Sequence, residues 1–145
     1  MEATFKILET SRNIYLKFLE GYTLEQLNKI PEGFSNNLIW NIGHIVVSQQ
    51  GLIYRLSSLP VNVSDEMTEK YKNGSRPDGK ATQEEVDEIK HLLIALAKQT
   101  KADFEAGKFQ HYTEYQTKTG FHLANFKDAM EFSNYHEGIH LGMMM

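Results

Sequence analysis

The segment Leu38 to Leu59 constrains this chain more than any other, because it reads as a helix with two apolar faces. One stripe runs Leu38, Ile42, Ile45, Val46, Gln49, Ile53 and Leu56, and the opposite one runs Trp40, Gly43, His44, Val47, Gly51 and Tyr54. Both recur at helical spacing, and a helix apolar on two sides is buried on two sides. Asn36 or Asn37 can cap its start, and Pro60 stops it. On the second stripe Gly43 and Gly51 leave room for a neighbouring helix or a ligand. His44 lies between them, where a lone histidine is commonly a hydrogen-bonded core residue.

Three further helical segments supply the covering surfaces. Phe5 to Leu19 carries apolar groups at Phe5, Ile7 or Leu8, Ile14 or Tyr15, and Phe18 or Leu19, with Ser11 on the same recurrence and Gly21 at its end. Thr23 before Leu24-Glu25-Gln26-Leu27 predicts a short capped turn that Ile30-Pro31 stops. Thr82 with Glu85 is a capping-box pattern opening a helix through Val86, Ile89, Leu92 or Leu93, Leu96 and Phe104 to about Glu105. The acidic residues at its start favour the helix dipole and read as a solvated face. The last helix is predicted from about Leu123 onward, with an inward arc of His122, Phe126, Ala129, Met130, Ser133, His136, His140 and Met144. Between them, Val61 to Lys80 is a long connection with a short helical turn at Ser64-Asp65-Glu66-Met67 and turn residues from Asn73 to Gly79. Phe109 to Gly120 reads as a loop or short hairpin. The expectation is a single all-α domain over residues 1–145, a four-helix bundle with a long crossover connection between the second and third helices.

Composition removes several classes of function. A net charge of −4 argues against a nucleic-acid binder, and no stretch approaches the roughly 20 apolar residues of a membrane span. The chain has no cysteine, so disulfides and thiolate metal sites are excluded, and any nucleophilic thiol must arrive with a substrate. The N-terminal residues lack a charged-then-apolar signal pattern, and a cytoplasmic location is expected.

The chemistry concentrates at the end of the last helix. His136 and His140 are four residues apart, which puts both rings on one helical face within reach of one divalent ion. With Glu137 they spell H-E-x-x-H, the zinc-protease pattern. That pattern needs a third ligand, usually downstream, and Leu141 to Met145 offer none. In a bundle, metal sites are built from inward residues of facing helices, which makes His44 the candidate third ligand. Three neutral imidazoles leave a fourth position for water or substrate, and they suit zinc or nickel. Glu137 is a lesser candidate for a catalytic base, with a flanking solvated or supporting role the plainer reading. Asn41, Gln50, Tyr54 and Arg55 lie within a few turns of His44 and are candidates for substrate contact, although interhelical hydrogen bonds explain them equally well. His91 and His111 read as surface residues, and His122 lies about four turns from His136, too far to share its metal.

The element Trp40-Asn41-Ile42-Gly43-His44, followed by His136-Glu137-Gly138-Ile139-His140-Leu141-Gly142, resembles the DinB-like family over nearly the whole chain. The resemblance implies a four-helix bundle, often dimeric, with a divalent metal on three histidines, here His44, His136 and His140. Better-studied relatives are metal-dependent thiol transferases and isomerases that use low-molecular-weight thiols such as bacillithiol or mycothiol. Relatives continue the last helix beyond the point where this chain ends, and a shorter closing turn is expected to loosen the site. Two functions follow as expectations. One is a metal-dependent transferase that activates a small thiol for attack on an electrophile. The alternative is a non-catalytic metal-binding bundle acting in stress response or with a partner. A homodimer is expected from the two apolar faces of the Leu38 helix and from the resemblance.

Overall fold

A computed structural model describes residues 1–145. The chain is mostly helical, with helices α1 (Glu2–Gly21), α2 (Leu24–Asn28), α3 (Leu38–Ile53), α4 (Asp65–Tyr71), α5 (Gln83–Glu105) and α6 (Phe126–Met144). A 3-10 turn at Arg55–Ser57 follows α3. A minimal antiparallel ribbon pairs β1 (Tyr115–Gln116) with β2 (His122–Leu123) just before α6. No helix is long and apolar enough to cross a membrane.

The four long helices pack on one another in pairs, over two hydrophobic clusters. α1 packs on α5 and α6, and α3 packs on the same two. α3 is the central element, and its two apolar stripes are both buried: Ile42, Ile45 and Val46 on one side, Trp40, His44 and Val47 on the other. Fully burying one such aliphatic side chain is worth about 1.5–3 kcal/mol, so this helix alone accounts for much of the hydrophobic stabilisation. The second stripe is covered within the chain by α4 and α6. Gly43 explains how α4 comes so close: a Cβ built there would lie 2.5 Å from the Tyr71 ring. The long connection thus closes over the middle of α3.

Helix ends follow their caps. The side chains of Asn37, Ser64, Thr82 and Asn125 each accept the backbone N–H three residues on. Thr23 and Gln26 complete a reciprocal capping box. The Thr82 cap is one-sided, because the Glu85 carboxylate turns to Lys70 of α4 and ties α4 to α5.

Four details differ from the sequence expectation. The α-helix from Leu38 ends at Ile53 rather than Leu59; the backbone tightens into the 3-10 turn and leaves through Ser58 in the left-handed region at φ 59°. The buried stripe of α1 is Phe5, Leu8, Arg12, Tyr15 and Leu19: of each pair left open the second member faces inward, and the charged Arg12 stands where Ser11 was expected. The last helix starts at Phe126, because Asn125 caps it and His122-Leu123 pairs with β1. His122 is therefore an exposed strand residue, its Nε2 3.2 Å from a Glu114 carboxylate oxygen, and not part of the inward arc of α6. Finally, that arc is rotated from the expected one: Glu137 is buried and His136 only half-buried.

Candidate metal centre

Three imidazoles from two helices meet at one point. α3 supplies His44 and α6 supplies His136 and His140, and one ring nitrogen of each lies within 4.8 Å of the other two. The His136 and His140 Nε2 atoms are 3.2 Å apart. Two imidazole nitrogens sharing one tetrahedral ion, with bonds of about 2.0–2.1 Å, would stand roughly 3.3 Å apart. The ring of His44 is 4.9 Å from that of His140 and 5.2 Å from that of His136, centroid to centroid.

Two of the rings are held by their far nitrogens. The Nδ1–H of His44 donates to the main-chain carbonyl of Tyr71 at 2.8 Å, and the Nδ1–H of His140 donates to Asn41 Oδ1 at 2.7 Å. A neutral imidazole with its proton on Nδ1 keeps a lone pair on Nε2, which is the form a metal ligand needs. For His140 that lone pair faces the cluster. The Ser48 hydroxyl lies 3.3 Å from His44 Nε2. Trp40 stacks on His44 at 4.6 Å, with its indole N–H donating to Ser75 of the α4–α5 connection. His136 is the exception. Its ring contacts are His44, His140 and a stacked Phe132, and it marks the solvent-facing side of the cluster.

Electrostatics keep the trio neutral. Burial lowers the pKa of His44 against the smaller opposing effect of the Tyr71 carbonyl. Burial and then the proximity of His44 bring His136 down to about 4. Burial, reinforced by His136 and His44, brings His140 down to about 3. Three crowded imidazoles that are uncharged near neutral pH are a donor set that fits a cation. No carboxylate or thiolate joins them as a fourth ligand.

A scan against protein-family models matches the DinB superfamily over residues 7–144. The chain belongs to the DinB superfamily. A comparison with curated proteins gives no match. Within this DinB-superfamily chain, the three histidines singled out from the sequence are the three that converge.

The other candidates separate. Asn41 reaches the site, as the partner of His140. Gln50 is fully buried two turns further on, donating to Gln49 and accepting from Asn62. Tyr54 is buried in the second half of the core, where its hydroxyl donates to Asp103 and its ring meets Phe109. Neither is brought to the histidines. Arg55 lies exposed on the 3-10 turn. Glu137 is not solvated: it is 1% exposed and bound by Arg12. One residue from His136, it is turned about 100° around the helix, toward α1 and α5. The protease pattern therefore has its glutamate committed elsewhere.

Sequence reasoning missed two participants. Arg12 carries a readable signal, a charge at the helical spacing of Leu8, Arg12, Tyr15 and Leu19. Tyr71 carries none, since it acts on His44 through its carbonyl, a group every residue has.

Proposed function

We propose that this chain holds one divalent metal ion on His44, His136 and His140 and uses it to activate a low-molecular-weight thiol for attack on a small electrophile. The observation that carries the reading is the neutral donor set: three uncharged imidazoles converge, with no anionic group among them. A dication held by neutral ligands keeps its full charge and favours the thiolate of an incoming thiol near neutral pH. Zinc or nickel is the ion that this all-imidazole set favours.

The chain's own residues orient and shield. The Tyr71 carbonyl and Asn41 fix two rings, and Trp40 covers a face of His44. Half-buried His136 leaves the approach on its side, beside Phe132. Having no cysteine, the chain cannot quench its own centre with a thiolate, so the thiol comes as substrate. A free thiol, with a pKa near 8.5, is mostly protonated at neutral pH, which is the deficit the centre would remove. Such thiols are kept reduced in the cytoplasm, the location proposed here.

The packing of α1, α3, α5 and α6 supports a four-helix bundle, with residues 54–82 as the long crossover. A homodimer is part of the proposal. Its support has moved, since both faces of α3 are covered within the chain; the exposed apolar residues Tyr135, Ile139 and Met143 lie on α6.

The second reading is a metal-binding bundle without turnover. What favours it is that a groove of about 250 Å³, lined by Phe5, Asn13, Ile94 and Lys98 among others, lies away from the histidines. The deciding experiment follows consumption of a model electrophile with a panel of cellular thiols, comparing metal-loaded, metal-free and His136→Ala protein. Acceleration by the loaded protein alone supports the transferase; equal rates in all three leave the non-catalytic role.

A further inference from the structure

We propose that Asn41 is a positioning residue: it fixes which nitrogen of His140 carries the proton, and so prepares that ring to receive a metal ion. The proposal rests on the metal-binding reading above, and adds to it a part of the site that sets affinity.

The orientation of the amide is determined by its neighbours. Asn41 Nδ2 donates to the Asn37 carbonyl at 2.8 Å and to Asn36 Oδ1 at 3.0 Å. A carbonyl can only accept, so the nitrogen belongs on that side and Oδ1 must face His140. Oδ1 in turn can only accept, and at 2.7 Å it requires the proton of His140 to be on Nδ1. The Nε2 lone pair is then left facing His136 Nε2.

The alternative state shows what Asn41 prevents. With its proton on Nε2, His140 would donate to His136 Nε2, 3.2 Å away, and point a hydrogen where a metal needs a lone pair. Asn41 is 4% exposed, so water does not readily take over its role if the amide is lost. His44 is secured differently, by a main-chain carbonyl that no substitution removes. Of the two fixed rings, only His140 depends on a side chain. The same turn of α3 thus provides one ligand, His44, and the device that aims a ligand on α6. Asn37 links this device to the helix cap, because its side chain accepts the Trp40 N–H while its carbonyl holds Asn41.

The test reads tautomer and affinity separately. Nitrogen-15 correlation spectra of histidine-labelled, metal-free protein near neutral pH report the proton position on His140, and competition with a chromophoric chelator reports zinc affinity. Wild type is expected to show Nδ1–H. Asn41→Leu is expected to shift His140 toward Nε2–H and to lower zinc affinity about 10–100-fold, the usual cost of losing such a partner. Asn41→Asp keeps an acceptor toward His140 but loses the donation to the Asn37 carbonyl and Asn36 Oδ1, so it should keep Nδ1–H and lose less than the roughly 10-fold in zinc affinity that marks a missing partner. Nε2–H in wild type, wild-type affinity in Asn41→Leu, or lost affinity with an unchanged tautomer would each overturn the proposal. Should Asn41→Leu fail to fold, the wild-type spectrum and the two Asn41→Asp readouts still decide. Wild-type protein that takes up no zinc removes the metal reading, an outcome distinct from a wrong tautomer.

Discussion

Arg12 and Glu137 join α1 to α6 by a two-pronged ion pair, Nε to Oε1 at 2.8 Å and Nη2 to Oε2 at 3.1 Å, with both side chains 1% exposed. The third guanidinium nitrogen donates to the Leu93 carbonyl of α5 at 2.9 Å. Tyr15, one turn along α1, donates its hydroxyl to the Glu137 carbonyl. Glu137 stands between His136 and His140 in the chain, so this set of bonds holds the turn that carries two of the three candidate ligands. A glutamate expected to serve chemistry instead anchors the helix that the chemistry needs.

Breaking that pair should be costly and replacing it should not. Arg12→Ala leaves a buried carboxylate without its partner, and a loss of about 3–5 kcal/mol is expected in urea denaturation. The double variant Arg12→Met with Glu137→Leu removes both charges and should recover most of that stability. Zinc binding in the double variant should then persist, since neither side chain touches the imidazoles. A double variant no more stable than Arg12→Ala would refute this account.

The two small residues on the second stripe of α3 should respond in opposite directions. Gly43→Ala puts a methyl 2.5 Å from the Tyr71 ring, which is itself buried, so α4 must move. Overpacking of this kind costs about 1–3 kcal/mol, and here it also displaces the carbonyl that holds His44, so zinc affinity should fall with it. At Gly51 an added Cβ would meet nothing within 4 Å. Gly51→Ala should stabilise the helix by about 0.5–1 kcal/mol in thermal or urea unfolding. Equal effects at the two positions would contradict the packing described.

What can be read from the sequence is what side-chain type and spacing encode. The histidine pair is local, and the long α3 stripes announce a helix covered on both sides. His44 becomes a ligand candidate only by supposing that α3 and α6 face each other, which their contact bears out. Other features depend on partners distant in sequence. Leu8 rather than Ile7 turns inward because Arg12, not Ser11, shares its stripe. The helical periodicity of the last segment runs back through His122, but strand pairing with Gln116 and the Asn125 cap outweigh it. Asn41 stands out in the sequence by its position near His44, yet its role is defined by His140, 99 residues away.

The exposed face of α6 should mediate self-association. Tyr135, Ile139 and Met143 fall on one helical face, each 42–51% exposed, beside Phe121 and Phe132, whose rings meet that of Tyr135. An apolar surface of this continuity is a common site of protein contact. Sedimentation at tens of micromolar should show a dimer, and Ile139→Glu should convert it to a monomer without unfolding it. A wild-type monomer would remove the dimer from the proposal.

The last prediction concerns protons. Folding lowers the pKa of all three histidines, His136 to about 4 and His140 to about 3, through burial first, then the proximity of His44 for His136 and that of His136 and His44 for His140. The folded metal-free state therefore binds fewer protons than the unfolded state, whose histidines titrate near 6.5. Stability from this source is complete above that value and is lost as pH falls, progressively toward 4 and then 3. Metal loading reports the same fact. Three ordinary histidines would surrender roughly two protons to an incoming ion at about pH 6. His136 and His140 are already neutral there and His44 is shifted in the same direction, so zinc binding should release well under two. Calorimetric titration in buffers of different ionisation enthalpy measures the number directly: heats that vary little between buffers support an uncharged cluster, and a release near two protons would show that the rings titrate as they do in water.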